Sequence, residues 1–388
     1  MITTKLYVSI FKRTKLYYQL KINRLQACLY LRWLPSFGNI LARKLLTHCK
    51  TPEAIFESDP QDFLAIDRIG TFHLQHFKKW RSLETVVLRE EETILKNNIK
   101  TLFLGDPNYP KTLSFCPDAP LVLFYKGDIA FKDQKIISIV GTRANNAYGR
   151  KICQQLIEEL QPIHPIIVSG FAYGIDIIAH KQALKLGLST IACMGHGLNQ
   201  LYPSEHQKYA KKVLENGGFV SDFTTADTFD RKNFLIRNRL IAGLAHATVI
   251  IQSDYKGGSM NTANYAHQYN RELFAFPGPV DQPLHRGCHQ LIKTQQAQLI
   301  SNGTDLIKSM GWWQNDNQEK AVQKQLFVEL TDAEKVIFAY LKDRTSDSLD
   351  NIAMATKNTA SDTASTVLQL EMKGCIRPLA GKRFEWIY

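Results

Sequence analysis

The sequence has no acidic residue before Glu53, although those first 52 residues contain ten lysines or arginines. The remaining chain is almost balanced, with 38 basic against 36 acidic residues, so the formal net charge of +12 comes mainly from the N-terminal segment. A basic balance is typical of nucleic-acid binding. Outside the N-terminus, however, anion binding must depend on where cations are placed rather than on the total charge.

Long apolar runs, cysteine pairs and common cofactor motifs are also missing. No apolar run approaches the roughly 20 residues of a membrane span, and the basic start has no secretory core. The seven cysteines are scattered without a C-x-x-C pair, which favours neither a disulfide framework nor a zinc site. There is no G-K-[ST] phosphate loop and no metal-ligand spacing. We therefore expect a cytoplasmic protein with no metal and no cofactor.

Five segments differ in composition and pattern. The h-x-x-h-G turns LPSFG (34–38) and IDRIG (66–70) suit a helix-hairpin-helix, whose glycine lets backbone amides approach a phosphate. A small helical bundle whose turns only need glycine explains the same pattern, and we favour it for these turns because such turns are short and common. The predicted segments are a basic N-terminal arm or extension (1–23), a helical domain (24–82), an α/β core (83–310), a polar linker (311–326) and a winged-helix-like domain (327–388).

Continuous apolar strands alternate with helices in the core. Such strands are buried on both faces, which predicts a doubly wound, mostly parallel α/β sheet. The predicted strands are Thr101–Leu104, Leu121–Tyr125, Ile136–Val140, Ile166–Ser169, Thr190–Met194, Phe219–Ser221, Thr248–Ile251 and Glu272–Phe276. Three of the predicted helices are Gly149–Leu160, Gly174–Leu186 and Ser204–Asn216.

The C-terminal segment is predicted to contain three helices and a hairpin. T-D-A-E (331–334) is a capping box for the first helix, and Leu349–Thr356 and Thr363–Lys373 form the second and third. A winged helix usually contacts duplex DNA. Because the third helix carries only Lys373 as a cation, we favour a protein contact or a structural function for this domain.

Glycines and serines follow nearly every predicted strand. Open α/β sheets bind ligands beyond the carboxyl ends of their strands, where small residues with free amides form an anion cradle. The candidate phosphate-binding residues at these ends are Gly141, Thr142, Arg143, Ser169, Gly170, Lys256, Gly257, Gly258 and Ser259.

The segment KNFLIRNR (232–239) adds three cations, two amides and an aromatic ring. Guanidinium groups match phosphate oxygens, and aromatic rings such as Phe234 and Tyr173 stack on the bases of single strands. A solvated basic helix end is the alternative. We expect the arginines of this segment to meet Arg143 at one edge of the sheet. The candidates from this segment are Lys232, Phe234, Arg237, Asn238 and Arg239.

Catalysis has weaker support in the sequence. Ser169, Ser259 and His196 are present without a G-x-S-x-G elbow or an evident base and orienting residue. Asp176 suits an N-terminal helix cap better than an acid catalyst. The residues therefore favour a binding function over catalysis.

Several motifs in fixed order together resemble the DNA-processing protein A family (DprA, also called Smf). They are IVGTR…YGR, SGFAYGIDIIAH, GLNQLYPSEH, NFLIRNRLIAGL, YKGGSMNTA, FAFPG and GCHQLI. The resemblance covers roughly residues 24–388. It implies an extended Rossmann-like core between a helix-hairpin-helix or SAM-like domain and a winged-helix-like domain.

The resemblance also implies a function in natural transformation and recombination. Members of the family bind and protect incoming single-stranded DNA, help the recombinase RecA load onto strands covered by single-strand-binding protein, act as homodimers and have no attributed enzymatic activity. The G-S/T-R turn falls on Gly141–Arg143, the R-N-R motif on Arg237–Arg239, and the S-G-S-like loop on Gly257–Ser259. Tyr173 stands where the family usually has arginine, and Leu235 where it usually has proline.

Three other functions compete with this interpretation. Related lysine-decarboxylase-like phosphoribohydrolases use a P-G-G-x-G-T-x-x-E loop, but Asn264 stands where their glutamate would be, and an amide cannot act as a general base. A duplex-DNA regulator would need a more basic third helix in the C-terminal domain. A small-molecule nucleotide sensor is compatible with the same pocket.

Overall fold

The computed structural model describes residues 22–132, 134–312, 330–344, 346–379 and 381–387. The predicted basic segment 1–23 lies outside these ranges except for its last two residues. The predicted linker 311–326 is described only at Gly311 and Trp312. None of the helices in the described ranges combines the length and hydrophobicity that crossing a membrane requires.

The first described region is helical, and its two predicted turns are present. Gly38 and Gly70 are the N-caps of α2 and α4, and a Cβ added at either glycine would meet no atom within 4 Å, so packing does not require glycine there. Glu91 of α5 accepts hydrogen bonds from Asn23 and Gln26, each at 2.7 Å, which joins α5 to the start of α1. The helices are α1 Arg24–Trp33, α2 Asn39–Cys49, α3 Pro52–Glu57, α4 Thr71–Phe77 and α5 Glu84–Lys96, with 3-10 turns at Pro60–Ala65 and Trp80–Leu83.

The core contains a nine-stranded sheet in the order β1-β2-β6-β5-β4-β3-β7-β8-β9. The strands from β6 to β9 run parallel along this order, while β2 is antiparallel to both β1 and β6. This confirms the predicted mostly parallel α/β class. The strands are β1 Lys100–Phe103, β2 Val122–Gly127, β3 Ile136–Val140, β4 Ile166–Ser169, β5 Thr190–Cys193, β6 Gly217–Ser221, β7 Ala247–Ile250, β8 Glu272–Ala275 and β9 Gln298–Leu299.

Strand β3 shows why the central strands are apolar throughout. Ile136 and Val140 belong to one hydrophobic core, whereas Ile137 and Ile139 belong to another. Alternate side chains of a strand point to opposite faces, so the two cores lie on the two sides of the sheet. The buried hydroxyl of Ser138, between them in sequence, donates to Thr248 Oγ1 of β7 at 2.7 Å.

Helices pack on both faces of this sheet, as a doubly wound fold requires. The predicted helix at residues 204–216 is divided into a 3-10 turn, Ser204–His206, and α9. The core helices are α6 Lys111–Ser114, α7 Ala147–Leu160, α8 Ile175–Lys185, α9 Gln207–Glu215, α10 Arg231–Leu244, α11 Gly258–Gln268, α12 Arg286–Lys293 and α13 Gly303–Ser309, with further 3-10 turns at Gln161–Ile163 and Pro283–His285.

The C-terminal region has the predicted three helices and hairpin, and also a short strand, β10, that the sequence did not indicate. Its sheet order is β10-β12-β11. The hairpin contacts the core: Lys111 Nζ lies 2.8 Å from Glu385 Oε1, and the Arg383 guanidinium lies 4.3 Å from the Phe115 ring centre. The elements are α14 Asp332–Arg344, β10 Ser346–Ser348, α15 Leu349–Thr356, α16 Ala360–Met372, β11 Ile376–Leu379 and β12 Arg383–Trp386.

Candidate nucleic-acid interface

A cavity of about 350 Å³ lies beyond the carboxyl ends of β3 and β7. The chain leaves β3 toward β4, β5 and β6 on one side and continues through β7 and β8 on the other, so this is the topological switch point where doubly wound sheets bind ligands. The cavity is lined by Val140, Gly141, Thr142, Arg143, Ala172, Asp176, Phe234, Leu235, Arg237, Asn238, Ile241, Gly257, Gly258, Ser259 and Thr262.

The Gly141–Arg143 turn forms one wall of the cavity. A Cβ on Gly141 would meet Ile175 Cγ1 at 2.6 Å and the Gln252 carbonyl at 3.1 Å, so glycine allows the first residue of α8 to pack against this turn. The Thr142 amide donates to the Gln252 carbonyl at 2.8 Å, which fixes the turn to the end of β7. Arg143 is exposed, and its guanidinium has no hydrogen-bond or ion-pair partner within the described ranges. This cation is therefore available to a ligand.

A second cation, Arg237, lies in the cavity wall but is bound to the protein. Its side chain is buried, and Nη1 donates to the carbonyls of Gly170, at 2.6 Å, and Cys193. Burial raises the pKa of the neighbouring Asp176 carboxyl above its ordinary value, and the positive charge of Arg237 opposes that shift. A Cβ on Gly170 would meet Asp176 Oδ2 at 2.6 Å and Arg237 Nη1 at 2.7 Å. Gly170 is therefore needed for packing around this pair, and it does not line the cavity itself.

Asp176 is not the helix N-cap that the sequence predicted. Gly174 occupies the N-cap position of α8, and Asp176 is the second helical residue, buried at the cavity wall. The sequence alone did not distinguish a capping carboxylate from one turned toward the sheet. The charge of Arg237 acts more strongly on Asp176 than that of Arg143 does, and Arg143 is the exposed arginine of the cavity lining.

The start of α11 forms another part of the cavity lining. Ser259 Oγ donates to Ser253 Oγ at 2.8 Å, and Ser253 lies so close to Gly257 that a Cβ there would collide with its hydroxyl. Asn238 Nδ2 donates to the Gly258 carbonyl at 3.1 Å and so joins α10 to this turn. The first amides of an α-helix have no partner within the helix and favour an anion. Arg143 lines the same cavity as these first residues of α11.

The prediction that the arginines of KNFLIRNR meet Arg143 is wrong for Arg239. Its buried guanidinium pairs with the Asp222 carboxylate and donates to the Asp118 carbonyl at 2.6 Å, and it does not line the cavity. Burial lowers the pKa of Arg239, but the nearby carboxylates of Asp222 and Asp118 raise it by more, so the pKa lies above its ordinary value. The reason is helical geometry, because residues two positions apart on a helix point to nearly opposite faces.

Four further predicted residues also lie outside the cavity lining. The hydroxyl of Ser169 is buried and donates to the Ile139 carbonyl at 2.7 Å, so Ser169 supports the sheet. Lys232 and Lys256 are exposed on α10 and on the loop before α11. Tyr173 is exposed beside His206, with ring centres 5.0 Å apart, and its hydrogen bond with Glu205 raises the pKa of the Tyr173 phenol.

The sequence patterns did not indicate Gln252 as a site residue, although it holds the Gly141–Arg143 turn of the cavity in place. Its carbonyl accepts the Thr142 amide at 2.8 Å, and its side-chain amide donates to Asn146 Oδ1 at 3.0 Å. A Cβ on Gly149 would collide with this side chain. Its position directly after a buried strand was the available signal, but a buried amide does not itself suggest a binding function.

Fold and cavity together define a doubly wound α/β protein with a ligand-sized site at the switch point of its sheet. Residues 100–311 match the sequence model of a family described as DNA recombination-mediator protein A, and residues 324–382 match that of the DprA winged helix domain. The chain belongs to the DNA recombination-mediator protein A (DprA/Smf) family. The resemblance inferred from the motifs is confirmed.

Individual relatives agree with this assignment. Protein Smf of Escherichia coli (strain K12) is 31% identical over 70% of this chain and 74% of its own length. The X-ray structure of DNA processing protein A from Streptococcus pneumoniae is similar with a TM-score of 0.65 and 28% identity, over 74% of this chain and 98% of that one. DNA processing protein A from Helicobacter pylori, described for its single-stranded DNA binding mode, gives a TM-score of 0.50 and 32% identity, over 55% and 96% of the two chains.

Proposed function

We propose that this protein binds single-stranded DNA at the cavity between β3 and β7 and acts in natural transformation and recombination. The observation that carries the proposal is Arg143, an exposed guanidinium with no partner in the described ranges, which lines the same cavity of about 350 Å³ as the first turn of α11. A phosphate oxygen held there gains a charge-assisted hydrogen bond and backbone donors together. The described relative from Helicobacter pylori, which binds single-stranded DNA, supports the same ligand.

The surrounding charges suit a longer polyanion. Lys232 and Lys256 are both exposed and stand close in sequence to residues that line the cavity, Phe234 and Gly257. A strand whose phosphate occupies the cavity meets these lysines as it leaves, whereas a single nucleotide would not need them. Phe234 lines the cavity and offers its ring to a base.

We further propose that the protein is not an enzyme. Asp176 is the carboxylate of the cavity wall, and the positive charge of its neighbour Arg237 favours the ionised carboxylate over a proton-donating acid. Asn264, where the phosphoribohydrolase glutamate would stand, is exposed on α11 and outside the cavity lining. Incubation with nucleoside monophosphates should release no free base, and release that depends on Asp176 would contradict this proposal.

The family resemblance supports a wider proposal. We propose that a cytoplasmic homodimer protects the bound strand and helps RecA load where single-strand-binding protein is present, with the helical region, the core and the C-terminal region acting as three domains. RecA ATP hydrolysis on strands covered by single-strand-binding protein should accelerate with wild-type protein and not with Arg143→Ala. Equal acceleration by both would separate this activity from the cavity.

Competition between oligonucleotides tests the central proposal. A labelled single strand should be displaced by unlabelled single strand at much lower concentrations than by a duplex of the same length at physiological salt. Equal competition by the two would contradict a single-strand site. Both competitions must be run at the same salt concentration, because phosphate contacts make the affinity for DNA fall steeply with ionic strength.

A further inference from the structure

Two aromatic rings that are not among the candidate binding residues stand exposed beside the cavity. Tyr202, in the loop after β5, is 45% exposed, and Phe229, in the loop before α10, is 47% exposed. Their ring centres lie 5.1 Å apart with an interplanar angle of 71°. Isolated exposed aromatics are ordinary, but clustered ones next to a cavity indicate a binding surface.

Phe234 joins these rings to the cavity. Its ring centre lies 5.6 Å from that of Tyr202 and 5.6 Å from that of Phe229, and Phe234 also lines the cavity. We call the surface made by Tyr202, Phe229 and Phe234 the aromatic shelf. The shelf therefore continues directly from the place where the phosphate is proposed to bind.

The aromatic shelf packs against the ring of His196. The ring of His196 is buried, with its centre 5.7 Å from that of Phe229 and 6.4 Å from that of Phe234. Burial lowers the pKa of His196, so its imidazole is neutral at physiological pH. A Cβ on Gly195 would come within 3.1 Å of Phe234, which shows how closely the loop after β5 supports the shelf. Held rings lose little freedom when a ligand stacks on them.

The cavity alone does not explain a preference for single strands, because single strands and duplexes both present phosphates. Unpaired bases differ in offering open π-faces, which base stacking already covers inside a duplex. An exposed aromatic surface next to a phosphate site is the arrangement by which proteins hold unpaired strands without reading their sequence.

We infer that Tyr202 and Phe229 stack on the unpaired bases of the strand whose phosphate contacts Arg143, and that they supply the selectivity for single-stranded over duplex DNA. The inference rests on the proposed function and assigns the ligand of the shelf: nucleobase faces, without sequence preference. Leu235 and Ile236, 49% and 45% exposed at the start of α10, extend the apolar surface beside the shelf.

The test compares an ordinary single-stranded oligonucleotide with an abasic one of equal length, which keeps the phosphates and lacks the bases. The double variant Tyr202→Leu with Phe229→Leu removes both exposed rings of the shelf. Phe72→Leu is the matched control, since Phe72 is 57% exposed on α4 and lies outside the shelf. Circular dichroism and thermal unfolding confirm that each variant is folded, and Tyr202→Phe keeps a ring as the conservative comparison.

We expect the wild type and the Phe72 variant to prefer the ordinary strand to the abasic one. The double variant should bind the ordinary strand about tenfold or more weakly, which lies within the range for lost base–aromatic stacking, while its abasic affinity and salt dependence stay unchanged. Its preference for single strands over duplexes should fall by the same factor. A 2-aminopurine base in the bound strand should be quenched by the wild type and less by the double variant.

Two results would overturn the inference. One is a folded double variant that keeps the full preference for ordinary over abasic strands. The other is a change in its molar mass by light scattering with unchanged DNA binding, which would make the shelf a protein contact. If the proposed function itself is wrong, the wild type binds neither strand, and this result differs from both results that would overturn the inference.

Discussion

The guanidinium of Arg239 pairs with the carboxylate of Asp222, and the two side chains are only 6% and 3% exposed. Arg237, two residues earlier on α10, instead donates to carbonyl groups beside the cavity. One helix thus directs one arginine to the candidate site and the other into the protein interior. This difference separates variants that should change DNA binding from variants that should change stability.

Replacing Arg239 by methionine should destabilise the fold. Removing one partner of a buried ion pair leaves the other charge uncompensated, and such losses cost about 3–5 kcal/mol. Urea unfolding should show this decrease, whereas the affinity of the folded fraction for single strands should change little. Adding Asp222→Asn should recover part of the loss, because no unpaired carboxylate then remains buried. A stable Arg239→Met protein that has lost DNA binding would contradict the structural assignment.

Replacing Arg143 by alanine should weaken DNA binding without destabilising the protein. The side chain is exposed and unpaired within the described ranges, so its loss should change the unfolding free energy by less than about 0.5 kcal/mol. Single-strand affinity should fall about tenfold, as expected for a lost charged hydrogen bond, and the salt slope should decrease by about 0.7. Arg150→Ala, an exposed arginine of α7 outside the cavity lining, is the control. Equal effects of the two variants would refute the phosphate assignment.

Adjacent glycines at the start of α11 should respond differently to alanine. A Cβ at Gly258 would meet no protein atom within 4 Å, so Gly258→Ala should fold normally and yet bind single strands more weakly, because the methyl group occupies the cavity. At Gly257 a Cβ collides with Ser253, so Gly257→Ala should also lower the melting temperature. Binding titrations with thermal unfolding check both. Full binding by Gly258→Ala would show that no ligand approaches these amides closely.

Acid should destabilise the protein through the buried His180 and the half-buried His246. Burial lowers the pKa of His180 to about 3 and that of His246 to about 4, from an ordinary value of 6.5. Below pH 6.5 the unfolded chain binds protons that the folded protein does not, so stability present above that pH is lost as the pH falls toward the folded values. Each pH unit costs up to about 1.4 kcal/mol per histidine.

Urea unfolding at pH 7.5 and pH 5.5 measures this loss. His246→Asn should flatten the pH dependence between these values, because one of the groups that take up a proton on unfolding is removed. If the stability of His246→Asn depends on pH as strongly as that of the wild type, His246 does not contribute the predicted loss of stability in acid.

The sequence predicted the central strands well and the short edge strands poorly. Strands β3 and β4 have the predicted bounds, since burial on both faces makes every residue apolar and leaves a clear pattern. Strands β9 and β10 were missed, because two or three mainly polar residues at an edge have no periodicity to detect.

The sequence by itself determined the residues available for binding: glycine-containing turns after buried strands, Arg143, and the motif order that assigns the family. Only the tertiary structure decided which charges remain free and which rings meet. Asp118 and Asp222, distant from Arg239 along the chain, neutralise it, while no partner within the described ranges neutralises Arg143. Tyr202 and Phe229 likewise become neighbours only because parallel strands bring their following loops to one edge of the sheet.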